Sequence, residues 1–178
     1  MATTKNKWAI DPAHTEVQFK VKHLVISTVT GNFNKFEGNV LASDDEFSGA
    51  EVEFSADVDS INTNQADRDG HLKSPDFFNA GQYPKLTFKS TGFIKKADNQ
   101  YKLSGNLTIR DVTKPIELDV EYGGITKDPW GNIKAGFEVS GKFNRKDFGL
   151  TWNALTEAGG MVVAEEVKIL VNVELTKQ

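Results

Sequence analysis

The sequence predicts an all-β fold: an extended eight-stranded antiparallel β-barrel with a short helical excursion after the third strand. Eight stretches alternate apolar with polar residues, several run for nine residues or more, and the first and last are both strongly amphipathic. Successive side chains of a β-strand point to opposite faces, so this alternation gives each strand one dry and one wet face. Such long strands are unusual in a sandwich, and two amphipathic end strands can pair and close a barrel.

The strands follow one another along the chain. Their predicted bounds are Thr15–Leu24, about Phe33–Ala42, Ala50–Val58, Lys85–Ser90, Tyr101–Ile109, Ile116–Tyr122, Ile133–Phe143 and Val167–Leu175. The last shows the alternation best, because Val167, Ile169 and Val171 share one face while Lys168 and Asn172 share the other. Glycine, asparagine and aspartate between the strands mark the turns.

Two stretches interrupt the alternation. Residues 64–79 are polar at first and end in two phenylalanines. Asn64 is a candidate cap for a short helix, Ser74-Pro75 a candidate start for a second, and Gly70 weakens a single long one. This stretch is the best candidate for a lid or plug of the barrel. Residues 144–164 form the second irregular stretch.

Length and composition limit the function classes. The 178 residues suit a single domain covering 1–178, and a net charge of -4 with scattered lysines argues against nucleic-acid binding. Without cysteine there is no disulfide, thiolate nucleophile or cysteine-bound metal. The chain has no long apolar run and no hydrophobic leader segment. We therefore expect a cytoplasmic protein as written, or a periplasmic one if a leader was removed.

Small residues lie on the apolar faces beside large ones. They are Gly38, Ala42, Ala50, Ala56, Ser90, Gly105, Ala135 and Gly141. One interpretation is a tapered barrel packed at normal density, and the other is an interior that holds a ligand. Leucine at Gly105 or Ala135 is expected to destabilise a packed core but to be tolerated by a ligand channel.

If a ligand lies inside, it must be apolar, because the inward strand positions are uncharged. Burial is worth about 0.8 kcal/mol per methylene, so a long hydrocarbon tail needs no specific polar contact. The candidate ligand-binding wall residues are Phe19, Val21, Phe36, Phe54, Phe88, Leu107, Leu118, Phe137 and Val171.

A few polar residues are candidates for a site at the barrel mouth. The candidate head-group contacts are His14, Arg68, His71, Asp76 and Arg145. The alternative is that each is a solvated surface group with local ion pairs. The histidine spacings match no metal-ligand pattern, and no nucleophile elbow, phosphate loop or nucleotide fingerprint is present. We therefore expect no enzyme activity, catalytic residue, metal or cofactor.

Five motifs, taken in order, resemble the YceI-like, polyisoprenoid-binding family. They are Trp8–Phe19 with Lys22-His23-Leu24, Gly31-Asn-Phe33, Asp67–Phe78 followed by Tyr83-Pro84 and Phe88-Lys-Ser90, Gly105–Pro115, and Arg145–Leu150. The resemblance implies a lipocalin-like eight-stranded barrel with a long internal channel. It implies binding of a long isoprenoid or similar amphiphile, head near one open end, and no enzyme activity. Many members carry a leader and are periplasmic.

Three hypotheses remain. The leading one is a carrier or storage protein for a long-chain isoprenoid, quinone or fatty-acid-like lipid. A homodimer is the candidate assembly of this protein. The second is a barrel-mouth enzyme or metal-binding protein that uses His14, His71, Asp76 and Arg145. The third is an interaction module with a fully packed core.

Overall fold

A computed structural model describes residues 5–24, 26–47, 49–153 and 163–178. Their strands are Asn6–Ile10 (β1), Glu16–His23 (β2), Ser27–Phe33 (β3), Phe36–Ala42 (β4), Glu51–Asp57 (β5), Ile61–Asn62 (β6), Lys85–Ala97 (β7), Gln100–Ile109 (β8), Val112–Lys127 (β9), Ile133–Asn144 (β10) and Val163–Lys177 (β11). One α-helix, Ala66–Lys73 (α1), and 3₁₀ turns at Pro12–His14, Val58–Ser60 and Arg145–Phe148 complete the described elements. No described helix has the length and apolar character needed to cross a membrane.

The strands form one closed antiparallel barrel, as the sequence predicted. Neighbours pair in the order β1, β4, β5, β7, β8, β9, β10 and β11, and β1 pairs in turn with β11. Trp8 closes the ring, because it lies opposite Val40 on one side and Lys177 on the other. Further along β11, β2 takes the place of β1 and pairs with β3. Eight strand positions therefore surround one interior.

The first two predicted strands were placed too narrowly. The structure extends the first to Asn6 and divides it into β1 and β2, with the Pro12–His14 turn between them. Asp11 caps this turn by accepting a hydrogen bond from the Ala13 amide at 3.0 Å. The second predicted strand is likewise two segments, β3 and β4. In the first strand, Pro12 and the capping Asp11 break the alternation, so sequence periodicity detected only the part beyond them.

The predicted helical excursion is present as α1, in which Gly70 is accommodated. The second short helix expected at Ser74-Pro75 was wrong, since these residues form turns. The Ser74 hydroxyl donates to the His71 carbonyl and accepts from the Asp76 amide at 3.3 Å. These local side-chain bonds replace the backbone ladder of a helix. The turns carry Phe77 into the interior, where it is 6% exposed.

Candidate functional site

The barrel encloses a cavity of about 660 Å³. Its wall is mainly aliphatic and aromatic, with residues from strands on every side of the barrel. Pockets of some 300–1,000 Å³ with apolar walls are typical of sites for small organic ligands. The barrel interior is therefore partly empty rather than filled by side chains.

Eight of the nine predicted wall residues line this cavity. They are Phe19, Val21, Phe54, Phe88, Leu107, Leu118, Phe137 and Val171. Phe36 does not belong to the lining and instead stacks on Phe54, with ring centroids 6.3 Å apart. Phe36 therefore packs beside the wall residue Phe54 without lining the cavity itself.

One end of the barrel, here called the aromatic end, is sealed by Trp8, Phe47, Tyr101, Tyr122 and Phe137. The ring of Phe47 lies 4.9 Å from that of Phe137 and 5.1 Å from that of Trp8. Phe47 lines the cavity yet is only 1% exposed, so its ring forms the cavity floor. Edge-to-face and tilted aromatic pairs of this kind add to the stability gained by burial.

Two tyrosine hydroxyls hold the segment that carries Phe47. Tyr101 donates to the Glu46 carbonyl at 2.9 Å, and Tyr122 donates to the Asp45 carbonyl at 2.8 Å. Phe47 itself has a φ of 59°, which is costly for a residue with a side chain. Burial and the nearby Asp45 carboxylate raise the pKa of Tyr122 to about 12, so its hydroxyl stays protonated and donates.

The opposite end, here called the helix end, is formed by α1, the β2–β3 turn and the Arg145–Phe148 turn. Four residues of α1 line the cavity, namely Asp67, Arg68, His71 and Leu72, as does Gln65 just before the helix. Gln65 and Asp67 are exposed, so the cavity reaches the surface beside α1. A charged and polar rim at one end of an apolar interior suits an amphiphile whose head stays near water.

Arg68 is positioned by Thr63, which is 3% exposed. The Arg68 Nε donates to the Thr63 hydroxyl at 2.8 Å, and Nη2 donates to the Thr63 carbonyl at 2.6 Å. The Thr63 hydroxyl in turn donates to the Asp69 carboxylate. In the part of the chain that the structure describes, Arg68 forms no ion pair within 4 Å, so its Nη1 donors remain available at the cavity rim.

His71 and Asp76 lie together at the helix end. The His71 Nε2 is 2.9 Å from an Asp76 carboxylate oxygen, and the imidazole contacts the Trp152 ring edge-on at 4.6 Å. His71 lines the cavity and Asp76 does not. Asp76 therefore orients the imidazole, whose second nitrogen is left for another partner.

Arg145 also lines the cavity, but its donors are directed at the backbone. It is 2% exposed and donates to the carbonyls of Ala164 at 2.8 Å, Leu150 at 2.7 Å, Trp152 at 2.8 Å and Val163 at 3.2 Å. Burial lowers its pKa from the usual arginine value, which still leaves it charged. Arg145 thus ties Leu150 and Trp152 to the first residues of β11.

His14 was predicted as a head-group contact, and the structure places it elsewhere. It lies in the turn before β2, and the far end of β2, at His23, reaches the helix end. At ~3.3 Å per residue the length of β2 puts His14 roughly 25 Å from that end. Its Nδ1 is 2.8 Å from the Asp11 carboxylate, which raises the pKa of His14. The four residues of the barrel-mouth hypothesis therefore do not meet in one site.

The group around His14 is a structural joint. The ligand-type atoms of Asp11, His14 and Glu174 lie within 4.8 Å of one another, but the Lys134 ammonium is 2.8 Å from Asp11 and 3.7 Å from Glu174. This ammonium supplies the cation that the carboxylates face and would repel a metal ion. Its hydrogen bond, with that of His14, lowers the pKa of Asp11 to about 2.

Sequence reasoning missed several residues that shape the cavity. Phe47 lies outside every predicted strand, Trp8 precedes the first one, and Thr63 and Trp152 occupy irregular stretches. Their burial depends on how loops fold back over the barrel, which periodicity does not report. A bulky aromatic residue within a polar loop, such as Phe47, is the one sequence signal that was available.

Comparison with known proteins places this geometry in a family. The model of the YceI-like domain matches residues 8–175. A UPF0312 protein of Pectobacterium atrosepticum is 38% identical over 165 residues, which cover 93% of this chain and 82% of that protein.

Solved structures give the same result. The crystal structure of the Campylobacter jejuni YceI protein, 35% identical, matches with a TM-score of 0.76 over 94% of this chain and 96% of that chain. A polyisoprenoid binding domain from Saccharophagus degradans, implicated in plant cell wall breakdown, shares the fold with a TM-score of 0.71 at 14% identity, over 96% and 98% of the chains. Fold, cavity and sequence agree, and the chain belongs to the YceI-like family.

Proposed function

We propose that this protein binds a long-chain isoprenoid or a similar amphiphilic lipid in its barrel and carries or stores it. The observation that carries the proposal is the cavity of about 660 Å³ with its apolar wall. The related fold of a polyisoprenoid binding domain supports the same ligand class. An isoprenoid, a quinone and a fatty-acid-like lipid all satisfy the wall, which selects for an apolar tail rather than for one head.

The tail supplies most of the binding free energy. At about 0.8 kcal/mol per methylene, burying roughly ten methylenes yields about 8 kcal/mol before the cost of association. The rings of Phe19, Phe54 and Phe88 line the wall and give branched or unsaturated chains a large contact area. Affinity for the tail therefore needs no polar contact inside the barrel.

The head lies at the helix end in this proposal. Arg68 and the free nitrogen of His71 contact it, and Asp76 orients the imidazole. Arg145 contributes its charge to the rim while its hydrogen bonds hold the backbone. Each of these groups positions a polar head, and the proposed activity has no catalytic step.

The direct test is mass spectrometry of the purified protein, native and after organic extraction. We expect a long-chain lipid in about equimolar amount. The delipidated protein is then titrated with a polyprenol and with oleic acid. A protein that is recovered empty and takes up neither probe contradicts the proposal.

A pair of variants links uptake to the cavity. Val171 lines the cavity, and its neighbour Asn172 is exposed on the outer face of the same strand. Val171→Phe fills space that the tail needs and is expected to weaken polyprenol binding about tenfold, equivalent to displacing roughly two methylenes. Asn172→Phe adds the same ring outside and is expected to leave binding unchanged. Equal effects of the two variants would place the lipid outside the barrel.

A further inference from the structure

The turn between β2 and β3 exposes apolar side chains at the helix end. Leu24 and Ile26 are the described residues there, and both are apolar, where a hairpin turn is usually polar. Leu24 is 39% exposed, with a φ of 54°, and Ile26 is 84% exposed. The Ile26 amide donates to the carbonyl of His23, which lines the cavity. This apolar turn therefore adjoins the cavity where the cavity reaches the surface.

A row of lysines lies on the outer face of the barrel next to this turn. Lys142 of β10 lies opposite Lys168 of β11, and Lys168 lies opposite Lys20 of β2. Lys22 is on the same face of β2, two positions closer to the turn, and all four are exposed. Like charges directly opposite across strands are unfavourable.

Only one of these lysines has a compensating partner in the described structure. Lys142 lies 3.3 Å from the Glu166 carboxylate, while Lys20, Lys22 and Lys168 form no ion pair within 4 Å among the described residues. Lys20 and Lys168 thus face each other without a counter-charge, an arrangement that does not stabilise the fold. An anionic partner at this surface would relieve the repulsion.

We infer that the apolar turn and the lysine row form a docking surface for a bilayer that contains anionic lipids. Leu24 and Ile26 enter the apolar layer, and the lysines lie over the lipid phosphates. Apolar side chains next to basic ones are the pattern that binds a membrane interface. This inference rests on the proposed function, because docking there brings the cavity entrance to the surface from which a lipid is loaded.

The expected strength follows from general magnitudes. Each lysine near an anionic lipid surface changes the affinity roughly fivefold. Withdrawing Ile26 from the interface costs roughly tenfold. Because exposed charges are screened by salt, binding is also expected to weaken as ionic strength rises.

The test is co-flotation of the protein with vesicles of phosphatidylcholine alone or mixed with phosphatidylglycerol. The wild-type protein is expected to float with the mixed vesicles and much less with phosphatidylcholine. Ile26→Ser and the double variant Lys20→Gln, Lys168→Gln are each expected to lose binding at least about tenfold.

Matched controls come from the aromatic end. Trp130→Ser removes an apolar side chain that is 83% exposed, and Lys96→Gln with Lys127→Gln removes the same charge from exposed positions. Both controls are expected to float like the wild type. Equal losses in the controls, or no flotation of the wild type with any vesicle, overturn the inference. Self-association that Ile26→Ser abolishes, without vesicle binding, also overturns it, because the turn is then a contact between two copies.

Uptake of a polyprenol in the absence of vesicles separates this inference from the proposed function. A wild type that takes up polyprenol but does not float overturns the docking surface alone. One that floats but takes up neither polyprenol nor oleic acid overturns the proposed function, while the docking surface stands.

Discussion

The two ends of the barrel are closed by different physics. At the aromatic end, Phe47 packs among Trp8, Tyr122 and Phe137 and leaves the cavity floor buried. At the helix end, a short polar helix covers the opening, and Arg145 holds the adjacent backbone by hydrogen bonds. Exposed side chains remain at the rim of this opening. Close-packed rings must be separated before anything passes, whereas a solvated helix has few apolar contacts to lose. Under the proposed function, the helix end is therefore the expected route for the lipid.

The largest expected effect is at Arg145. Arg145→Met keeps much of the side-chain volume but leaves four carbonyls without their charged donor, so the free energy of unfolding should fall by about 3–5 kcal/mol. Denaturant unfolding monitored by tryptophan fluorescence measures it.

Arg110 provides the control for Arg145. It makes two long hydrogen bonds, to the carbonyls of Phe77 at 3.4 Å and Gly149 at 3.5 Å. Arg110→Met is expected to cost less than about 1 kcal/mol. If both variants cost the same, Arg145 does not hold the helix end.

Phe47→Ala tests the aromatic end. Removing a buried phenylalanine costs about 3–5 kcal/mol, and alanine keeps the strain of the positive φ because it retains a Cβ, so the loss is expected to lie in that range. The second expected result is faster release of a bound polyprenol, because the cavity then opens at both ends. Stopped-flow dissociation measures that rate. An unchanged release rate in a destabilised variant would show that the floor does not retain the ligand.

The fold was predictable from sequence to the extent that side chains alternate. Period two identified the wall residues Phe19 and Val171, and the loss of alternation identified α1. Arg145 was recognised as a candidate, but its partners are backbone carbonyls, which leave no trace in the residue types. The role of His14 was misread because Glu174, which it faces, and Lys134, which pairs with Asp11 in the same joint, come from distant strands that only the barrel brings together.

The small residues on the inward faces also show what the sequence could and could not predict. Gly105 was expected to accept leucine if the barrel held a ligand, yet a Cβ there would overlap the Phe88 ring and lie 2.6 Å from the Lys89 carbonyl oxygen. At Gly141 the space is taken by Leu118. The glycines let large neighbouring side chains lie across them, and the empty space is elsewhere. Both sequence interpretations, tapered packing and an open interior, thus apply to different parts of one barrel.

A smaller effect is expected at the joint around His14, which includes Asp11, Lys134 and Glu174. Hydrogen bonds from Lys134 and His14 lower the pKa of Asp11 to about 2, below its ordinary 3.8. A carboxyl group whose pKa is lowered in the folded state stabilises the protein at any pH above its ordinary pKa. That stability is lost as the pH falls through the folded-state pKa. The free energy of unfolding of the wild type should exceed that of Asp11→Asn by about 1–2 kcal/mol near neutral pH. This difference should vanish as the pH falls from about 4 to 2. A difference between the two proteins that stays constant from pH 7 to pH 2 would contradict this account.

The smallest effect concerns the hydroxyl that holds the Phe47 segment. Tyr122→Phe removes one hydrogen bond to the Asp45 carbonyl and should cost about 1 kcal/mol at neutral pH, as should Tyr101→Phe for its bond to Glu46. Because burial raises the pKa of Tyr122 from 10.0 to about 12, its contribution is complete below pH 10 and is lost as pH rises to 12. Unfolding of wild type and Tyr122→Phe across that range measures the difference. Convergence of the two above pH 10 would show that a buried, protonated tyrosine fastens the aromatic end, whereas a constant difference would mean that the hydroxyl is not what holds Phe47 in place.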